Sequence, residues 1–510
     1  MPQTLAHPGV YIEETPSSVR TIVGVATSIT AFIGAAPRGP VDTPVRIANF
    51  GDYSRRFGGL SRSSPMSYSV AQYFMNGGAD AIIVRVQKGG VTAKVILPAG
   101  VGGSLTLEAD SVGDWGNQLR VMVEDSAPAF PGAFNLTIRE VDLADPTVVL
   151  ATEIFLNLTT TPGDKRYVGT ILDQESALAS VLGAPPTNRP TAVAFQPFVG
   201  GSDSVALTDA ELSAAPLRAT KSGLYALEKA DLFNLLCIPP LTLTDDIGSA
   251  THNAALSYAR ERRAVYLLDA PGAWSSAADP VNAAETGFDA LVTKLDNGAI
   301  YFPRIMAPDP LQENRLASFA PSGAVAGVIA RTDATRGVWK APAGTDATLV
   351  GVPQLAVKMT DAENGRLNKL GIDCLRSFPV IGNIVWGGRT LRGADALADQ
   401  WKYLPIRRTA YFIEETLYRA TQWVVFEPND EPLWAQIRLN IGAFMQGLFE
   451  QQAFQGKTPK EAYLVKCDRE TNPQRDIDKG VVNIIVGFAP LKPAEFVLIK
   501  LQQLAGQVAS

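Results

Sequence analysis

The chain has 510 residues, of which 46% are hydrophobic and 19% charged, and its formal net charge is −6. This length predicts two to four domains, and this composition is typical of a folded globular protein with several hydrophobic cores. The negative balance argues against a nucleic-acid partner, because binding to phosphates requires clustered cations. The first ten residues lack the pattern of a signal peptide, and no run of about 18 apolar residues occurs, so we expect a soluble product with no membrane partner.

The first 90 residues predict an extended arm followed by the start of a folded domain. Prolines bracket residues 8–16, and proline disfavours helix at its own position and just before it, so residues 1–20 are predicted to be the arm. Val, Ile and Thr are frequent in residues 19–34, which favours a strand. A helix is predicted at residues 67–76 and a strand at residues 81–86.

Residues 91–202 have a different texture, which predicts a β-rich inserted domain. Short runs with strand character are separated there by Gly, Pro and Asp. The clearest of these runs are residues 95–97, 119–124 and 134–141.

Residues 203–320 predict a small parallel sheet covered by helices, in the order β-α-β-α-β. Strands are predicted at residues 232–238, 264–269 and 299–302, and helices at residues 249–263 and 280–295. The second helix has the clearest signature, because Asp279 can cap it, Pro280 suits its first turn, and apolar residues recur at spacings of three and four. Pro303 directly follows the third strand, which predicts that this strand lies at a sheet edge.

The last third of the chain, residues 321–510, alternates predicted helices and strands. Asp430 and Pro432 open a helix whose apolar residues form one stripe. Two strand-like runs follow, at residues 481–488 and 496–501. Together with the preceding segments, this pattern predicts a chain of the α/β, or α+β, class with several domains.

Motifs for catalysis are scarce, and each candidate fails for a physical reason. Gly456-Lys457-Thr458 resembles the end of a phosphate-binding loop, but Gln451 stands where the first glycine should lie. The turns after the three central strands contain prolines and lack the glycine fingerprint of a dinucleotide site. His7 and His252 have neither zinc-site nor triad spacing, and no pattern singles out a pair of carboxylates. We therefore expect no catalytic residues, no cofactor, no metal and no enzymatic activity.

Short motifs that follow one another along the chain resemble those of contractile tail sheath proteins. Near the start they are Pro8-Gly9-Val10-Tyr11-Ile12-Glu13-Glu14, Gly34-Ala35-Ala36-Pro37-Arg38-Gly39-Pro40, Phe57-Gly58-Gly59, Tyr73-Phe74-Met75-Asn76-Gly77-Gly78 and Val84-Arg85-Val86. In the last third they are Ser322-Gly323, Ala330-Arg331-Thr332-Asp333, Arg336-Gly337-Val338-Trp339-Lys340-Ala341-Pro342-Ala343-Gly344, Val385-Trp386-Gly387-Gly388-Arg389-Thr390, Phe426-Glu427-Pro428-Asn429-Asp430 and Pro493-Ala494-Glu495-Phe496. The inserted segment, residues 91–202, matches only in character.

The resemblance implies a discontinuous core domain, in which residues 21–90 fold with residues 321–510 beside an inner tube, while residues 91–202 and a central α/β domain at 203–320 project outward. It implies a structural subunit that polymerises helically with copies of itself around an inner tail tube protein. A switch from an extended to a contracted lattice would then eject the tube. Baseplate and tail terminator proteins are further implied partners. The implied location is a virion tail or contractile particle that is assembled in the bacterial cytoplasm.

Two groups of residues are expected to make contacts in such a polymer. The resemblance implies that both ends of the chain add strands to neighbouring subunits. The residues concerned are Val10, Tyr11, Ile12, Glu13, Phe496 and Leu498. Charges on a predicted amphipathic helix are expected to face the tube. They are Arg407, Arg408, Glu415 and Arg419. The alternatives are strand pairing within one subunit and an ordinary solvated helix face.

Two other functional classes stay open at this point: a non-contractile tail tube or baseplate component, and an α/β enzyme. Asp269 and His252 belong neither to the arms nor to the core motifs, and we expect the central unit that contains them to be a surface decoration. Replacing either residue with Ala is therefore expected to leave assembly intact. The turn Trp386-Gly387-Gly388-Arg389 is interpreted as structural, with its arginine in an ion pair.

Overall fold

A computed structural model describes residues 20–281 and 287–498 of the chain. The chain divides into two compact units. Among the described residues, the larger unit contains 26–281 and 287–408, and the smaller unit contains 20–25 and 409–498.

Helices and strands alternate through both units. In the part of the chain that the structure describes, the strands are β1 (Thr30–Gly34), β2 (Val45–Ile47), β3 (Ala81–Arg85), β4 (Lys94–Pro98), β5 (Ser104–Ala109), β6 (Leu119–Asp125), β7 (Phe134–Val141), β8 (Val149–Leu158), β9 (Ala179–Val181), β10 (Val193–Pro197), β11 (Leu235–Cys237), β12 (Val265–Asp269), β13 (Gly298–Phe302), β14 (Ile305–Asp309), β15 (Arg315–Phe319), β16 (Gln354–Leu355), β17 (Asp373–Phe378), β18 (Gly382–Val385), β19 (Tyr463–Lys466) and β20 (Ile485–Phe488). The α-helices are α1 (Phe50–Phe57), α2 (Pro65–Met75), α3 (Val168–Glu175), α4 (Asp209–Ser213), α5 (Leu217–Thr220), α6 (Ser249–Glu261), α7 (Phe288–Leu291), α8 (Ser322–Arg336), α9 (Asp361–Leu370), α10 (Leu404–Ala420), α11 (Glu431–Glu450), α12 (Pro459–Ala462) and α13 (Gln474–Ile477).

One eight-stranded sheet organises the larger unit, in the order β18-β17-β13-β12-β11-β1-β3-β2. The strands from β17 to β3 in this order run parallel, and the two edge strands are antiparallel to their neighbours. Strands β3, β12 and β13 are buried at every position. Such continuous burial is expected of parallel strands that are covered on both faces.

The predicted separation of a central domain at residues 203–320 is wrong. Its three strands are found as β11, β12 and β13, but β11 pairs with β1 and β13 pairs with β17 in the same sheet. The sheet therefore combines strands from residues 30–85, 235–302 and 373–385. The predicted edge position before Pro303 is wrong as well, because β13 has a partner on each side. Pro303 lies just after the strand, where no backbone N–H is required for the hydrogen bonds to the neighbouring strands.

The prediction of one continuous helix at residues 280–295 is also wrong. The described part of this segment has a 3-10 turn at Asp279–Val281 and the four-residue helix α7, and the backbone is extended directly after that helix. The carboxylate of Asp279 accepts hydrogen bonds from the N–H groups of Ser275 and Ser276, at 2.7 and 2.8 Å. It therefore closes the preceding turn.

Two antiparallel sheets occupy residues 91–202, the segment predicted as a β-rich insertion. Their strand orders are β10-β6-β7-β8 and β4-β5-β9. Alternate residues of β4 and of most of β6 are buried. Both sheets contribute to one hydrophobic core, which includes Leu107, Leu136 and Phe198. The three strands predicted in this segment correspond to β4, β6 and β7.

Buried Arg85, the last residue of β3, joins the insertion to the rest of the larger unit. Its guanidinium group donates to the carbonyl oxygens of Ala36 (2.9 Å), Gly39 (2.7 Å), Pro37 (3.1 Å) and Val112 (2.8 Å), and the last of these lies in the insertion. Burial lowers the pKa of Arg85 to about 10, so the group remains charged at neutral pH. Four carbonyl acceptors thus compensate a cation that has left water.

The smaller unit contains the long helix α11, which begins where the sequence predicts. The side chain of Asp430 accepts a hydrogen bond from the N–H of Leu433 at 3.2 Å, and Pro432 lies in the first turn. Residues 409–498 belong to this unit, whereas residues 26–90 and 321–408 belong to the larger one, so the described parts of the core domain predicted from residues 21–90 and 321–510 fall into two units.

Candidate assembly interface

Open α/β sheets bind ligands at the carboxyl ends of their parallel strands, and at the end of β12 this place is occupied by the protein's own polar groups. Asp269, the last residue of β12, accepts hydrogen bonds from the N–H and the hydroxyl of Ser322, both at 2.7 Å. Ser322 is the first residue of α8. Arg304 forms an ion pair with Asp246 nearby. A cavity lined by Arg304 and Ser69 has a volume of about 10 Å³, which is room for about one water molecule. That space is too small for a substrate.

Asp269 and His252 are buried within the larger unit. That they belong to a surface decoration of an assembly stays a prediction. Burial raises the pKa of the Asp269 carboxyl to about 6 and lowers the pKa of His252 to about 4. The Nδ1 atom of His252 lies 2.9 Å from the hydroxyl of Tyr266. Both polar groups therefore serve the packing around the central sheet.

The described residues also lack a metal cluster and a membrane-spanning helix. Within residues 20–281 and 287–498, no group of three or more His, Cys, Asp or Glu side chains could hold a metal ion. No helix among these residues is both long and apolar enough to cross a membrane. In the segment Gly456-Lys457-Thr458, the N–H of Lys457 donates to the carboxylate of Glu461 at 2.8 Å, so it is engaged within the protein.

The turn Trp386-Gly387-Gly388-Arg389 is structural, as the sequence indicates. Arg389 is fully buried, and its guanidinium group donates to the carboxylate of Asp395 at 2.9 Å. A Cβ atom on Gly387 would lie 2.5 Å from the Oδ1 atom of Asp373, so this position requires glycine. The ion pair interpreted from the sequence is confirmed.

Arg407 and Arg408, which were predicted to face a tube, are buried, with exposed fractions of 8% and 4%. The guanidinium group of Arg408 donates to the carboxylate of Asp333 at 2.6 and 2.8 Å and to the carbonyl of Thr27 at 2.9 Å. The hydroxyl of Thr27 donates to the same carboxylate at 2.6 Å. The Nε atom of Arg407 lies 3.7 Å from Asp296. The prediction of exposed charge is wrong for both arginines, because carboxylates from distant parts of the chain pair with them inside the larger unit.

Glu415 and Arg419 lie one turn apart in α10 and pair with each other. Their Oε1 and Nε atoms are 2.8 Å apart, and the arginine side chain is the more exposed of the two. Their predicted contact with an inner tube stays a prediction.

The start of the described chain is fastened to helices of the smaller unit. The N–H of Arg20 donates to the side-chain oxygen of Asn440 at 3.0 Å, and the N–H of Val25 donates to the hydroxyl of Thr416 at 3.2 Å. The guanidinium group of Arg20 lies 4.6 Å from the centre of the Trp423 ring. The arm residues precede this anchor and lie outside the described part of the chain, so their strand addition stays a prediction. They are Val10, Tyr11, Ile12 and Glu13.

The C-terminal segment after β20 forms no strand in its described part, residues 491–498. The exposed fractions of Phe496 and Leu498 are 79% and 81%. Residues 496–498 therefore do not pair as a strand within the described subunit. Large apolar side chains that water surrounds on an extended segment are suited to contact with another surface. The predicted contact of this segment with neighbouring subunits stays a prediction.

Strands β19 and β20 form a two-stranded antiparallel sheet, and among the described residues neither strand belongs to a larger sheet. One face packs on Phe454, whose ring centre lies 5.7 Å from that of Phe488 and 6.4 Å from that of Tyr463. The other face exposes Leu464 and Ile485. Two strands alone are marginally stable in water, and both outer edges can accept a further strand. The sequence analysis missed β19, although the alternation from Tyr463 to Lys466 fits a half-buried strand.

Comparison with known proteins shows which proteins this chain resembles. Residues 398–503 match the family model of the phage tail sheath C-terminal domain. The tail sheath protein of Vibrio phage KVP40 is 25% identical over 179 residues, which are 35% of this chain and 25% of that protein. The chain thus matches about a quarter of the length of this curated relative.

Solved structures share the fold over nearly the whole chain. The helical sheath of the anti-feeding prophage, solved in its contracted state, has a TM-score of 0.58 and 22% identity, with 98% of this chain and 100% of that chain covered. The sheath tail protein of Listeria innocua has a TM-score of 0.61 and 14% identity, with 92% and 96% covered. The predicted resemblance to sheath proteins and the mixed α/β, multidomain fold class are confirmed.

Proposed function

We propose that this chain, which carries a phage tail sheath C-terminal domain on a sheath fold, is the structural subunit of a contractile tail sheath. Subunits polymerise helically around an inner tube, and a switch from an extended to a contracted lattice drives the tube out. The observation that carries the proposal is the sheet of β19 and β20, whose outer edges are open in the described chain. The family match at residues 398–503 supports it, since both strands lie within that range.

Strand addition at this sheet gives the lattice its connections. The arm at residues 10–13 of one neighbour and the exposed segment at residues 496–498 of another each add a strand by backbone hydrogen bonds. Alternation would place Val10 and Ile12 on one face of the arm and Tyr11 on the other. Because backbone bonds at a sheet edge tolerate movement of the bodies they connect, the lattice keeps its connections while the subunits rotate.

The lattice uses contacts that propagate instead of closing, so it grows as a helix. The extended lattice is metastable, and contraction is a transition to a more stable arrangement whose energy was stored during assembly. The inner tail tube, the baseplate and the tail terminator are the further protein partners, with no part for nucleic acid or membrane. The subunit then belongs to a virion tail or contractile particle that is assembled in the bacterial cytoplasm.

Electron microscopy of the purified protein tests this function against its alternatives. Long hollow cylinders are the expected result. Rings or short plugs would favour a non-contractile tail tube or baseplate component, and dispersed particles with a measurable turnover would favour an α/β enzyme. Either of the last two outcomes overturns the proposal.

Removal of residues 1–18 tests the arm separately. The described fold begins beyond this segment, so the truncated chain should keep the thermal unfolding midpoint of the full chain while failing to form stable cylinders in sedimentation. A matched control keeps the length and replaces residues 1–7, which lie before the strand-forming part, with Gly and Ser. If the truncated chain still forms full-length cylinders, this arm does not connect the lattice.

A further inference from the structure

Phe426 has an unfavourable backbone conformation and a fully exposed ring. It lies between α10 and α11 in the smaller unit, with φ at +70°. This left-handed region is rarely adopted by bulky side chains of L-amino acids. The exposed fraction of the residue is 103%, so packing of the ring does not compensate for the backbone. A strained conformation that presents an apolar ring to water points to a function outside the isolated subunit.

The loop around Phe426 is held by hydrogen bonds on both sides. The N–H of Glu427 donates to the carbonyl of Val424 at 3.2 Å. The side-chain amide of Asn429 donates to the carbonyl of Val481 at 3.0 Å, and its oxygen accepts from the indole N–H of Trp434 at 2.8 Å. The backbone that carries the ring is thus restrained before any partner arrives. Such preorganisation reduces the entropy lost on binding, and a buried aromatic anchor is a common centre of protein interfaces.

The larger unit has a cleft of about 140 Å³ at the C-terminal end of α8. Its lining carries three cationic side chains, Arg331, Arg336 and Lys340, against one carboxylate, Asp346, and it includes three alanines. The ammonium group of Lys340 donates to the carbonyl of Ala341 at 3.0 Å. Burial, and then the charge of Arg336, lower the pKa of Lys340. The cleft therefore combines an excess of positive charge with apolar contact surface.

The two features are complementary in size and charge. An apolar cavity of about 150 Å³ holds a benzene molecule, so a cleft of about 140 Å³ suits the ring of Phe426. Cations near an aromatic face attract it, most strongly where water is excluded. Glu427 follows the ring directly and is exposed. Its carboxylate matches the excess of cations in the cleft.

We propose that Phe426 of one copy of this chain docks in the Arg331–Lys340 cleft of a second copy, with Glu427 paired to Arg336. This inference rests on the proposed function, because a polymer of identical subunits supplies the second copy. The ring and the cleft are different surfaces, so the contact is heterologous and can repeat along a lattice. The contact also assigns a function to two of the sheath-like motifs, residues 336–344 and 426–430, which take no part in the proposed strand addition.

Crosslinking between two singly substituted chains tests the contact directly. Cys237, Cys374 and Cys467 are buried, so they interfere little with a thiol reagent. A tagged chain with Val425→Cys, an exposed position next to Phe426 that leaves the ring intact, is mixed with an untagged chain with Ala343→Cys and treated with a short bis-maleimide. We expect a covalent heterodimer well above the amount formed when the tagged chain carries Phe130→Cys, a control at another exposed apolar position. Equal yields from the two mixtures would overturn the proposal.

Exchange of charges tests the same contact in the full assembly. Glu427→Arg and Arg336→Glu should each raise the protein concentration needed for sedimentable polymer about tenfold, and the double variant should return to within about twofold of wild type. Additive losses in the double variant would refute the pairing. If the wild type forms no polymer, the proposed function fails. The crosslinking yield of the soluble chains then still decides whether ring and cleft meet.

Discussion

The backbone N–H of Arg20 donates to the side-chain oxygen of Asn440 at 3.0 Å, across 420 positions of the sequence. Asn440 is buried in α11, so the oxygen is held in a fixed place. This bond fastens the first described residue to the smaller unit, immediately after the predicted arm. It therefore provides a fixed point from which an arm can reach a neighbour.

Asn440→Ala should loosen this anchor. We expect a loss of about 1–2 kcal/mol in the free energy of unfolding, the size of one buried hydrogen bond. Amide hydrogen exchange at residues 20–25 should become faster. Leu439→Ala changes an exposed neighbour on the same helix and serves as the control. Unchanged exchange at Arg20 in the Asn440 variant would show that other contacts hold this segment.

Arg408→Ala should destabilise the larger unit severely. The substitution leaves the carboxylate of Asp333, whose side chain is 4% exposed, without its cation. Breaking a buried pair in this way costs about 3–5 kcal/mol. Denaturant unfolding measures the loss, and combining Arg408→Met with Asp333→Leu should recover much of it, because both charges are then removed. A loss below about 1 kcal/mol for Arg408→Ala would mean that water reaches this pair in solution.

Asp269→Asn should remove a pH-dependent part of the stability. Burial raises the pKa of this carboxyl from 3.8 to about 6. The folded chain therefore holds the proton more tightly than the unfolded chain, and the contribution of this group to the free energy of unfolding falls as the pH rises from about 4 to about 6. Asparagine resembles the protonated acid, since it has one donor and one acceptor group. The free energy of unfolding of the wild type, relative to that of the variant, should therefore fall as the pH rises across this range and become constant above it. A constant difference would contradict the raised pKa.

Backbone amides of β19 and β20 should exchange more slowly in the polymer than in the isolated subunit. Their outer N–H groups are open to water until neighbouring strands cover them. Amides of β12, which is buried in the eight-stranded sheet, should be protected in both states and serve as the internal reference. Equal exchange of β19 and β20 in both states would contradict strand addition at this sheet.

Elements with a strong local pattern could be predicted from the sequence. Strands β3, β12 and β13 are short apolar runs bounded by turn residues, and they lie where the sequence places them. Their order could not be predicted, because it depends on pairs such as Thr30 with Leu235, which no local pattern connects. This is why three strands with their own helices were mistaken for a separate domain.

The residues expected to make contacts in a polymer could also be predicted only in part, because their surroundings depend on residues distant in sequence. The resemblance of motifs identified the two chain ends, but the periodicity of α10 does not distinguish an exposed arginine from a buried one. Arg408 is paired with Asp333, 75 positions earlier, and only the fold brings them together. Phe426 lies in a recognised motif, yet its left-handed backbone and exposed ring are properties of the folded loop.

The insertion begins and ends at a single point. Val91 and Ser202 exchange two hydrogen bonds, each from N–H to carbonyl at 3.0 Å, and so form an antiparallel pair. The Cα atoms of such a pair are about 5.5 Å apart. A short turn could join Val91 to Ser202, and so could a foreign domain whose two ends lie equally close. Either replacement adds little to the entropic cost of bringing these two residues together. Arg85 would lose one of its four carbonyl acceptors, that of Val112, and keep the other three. Residues between Val91 and Ser202 can thus be exchanged for a surface label or a targeting domain. The exchange leaves the strands of the eight-stranded sheet unchanged.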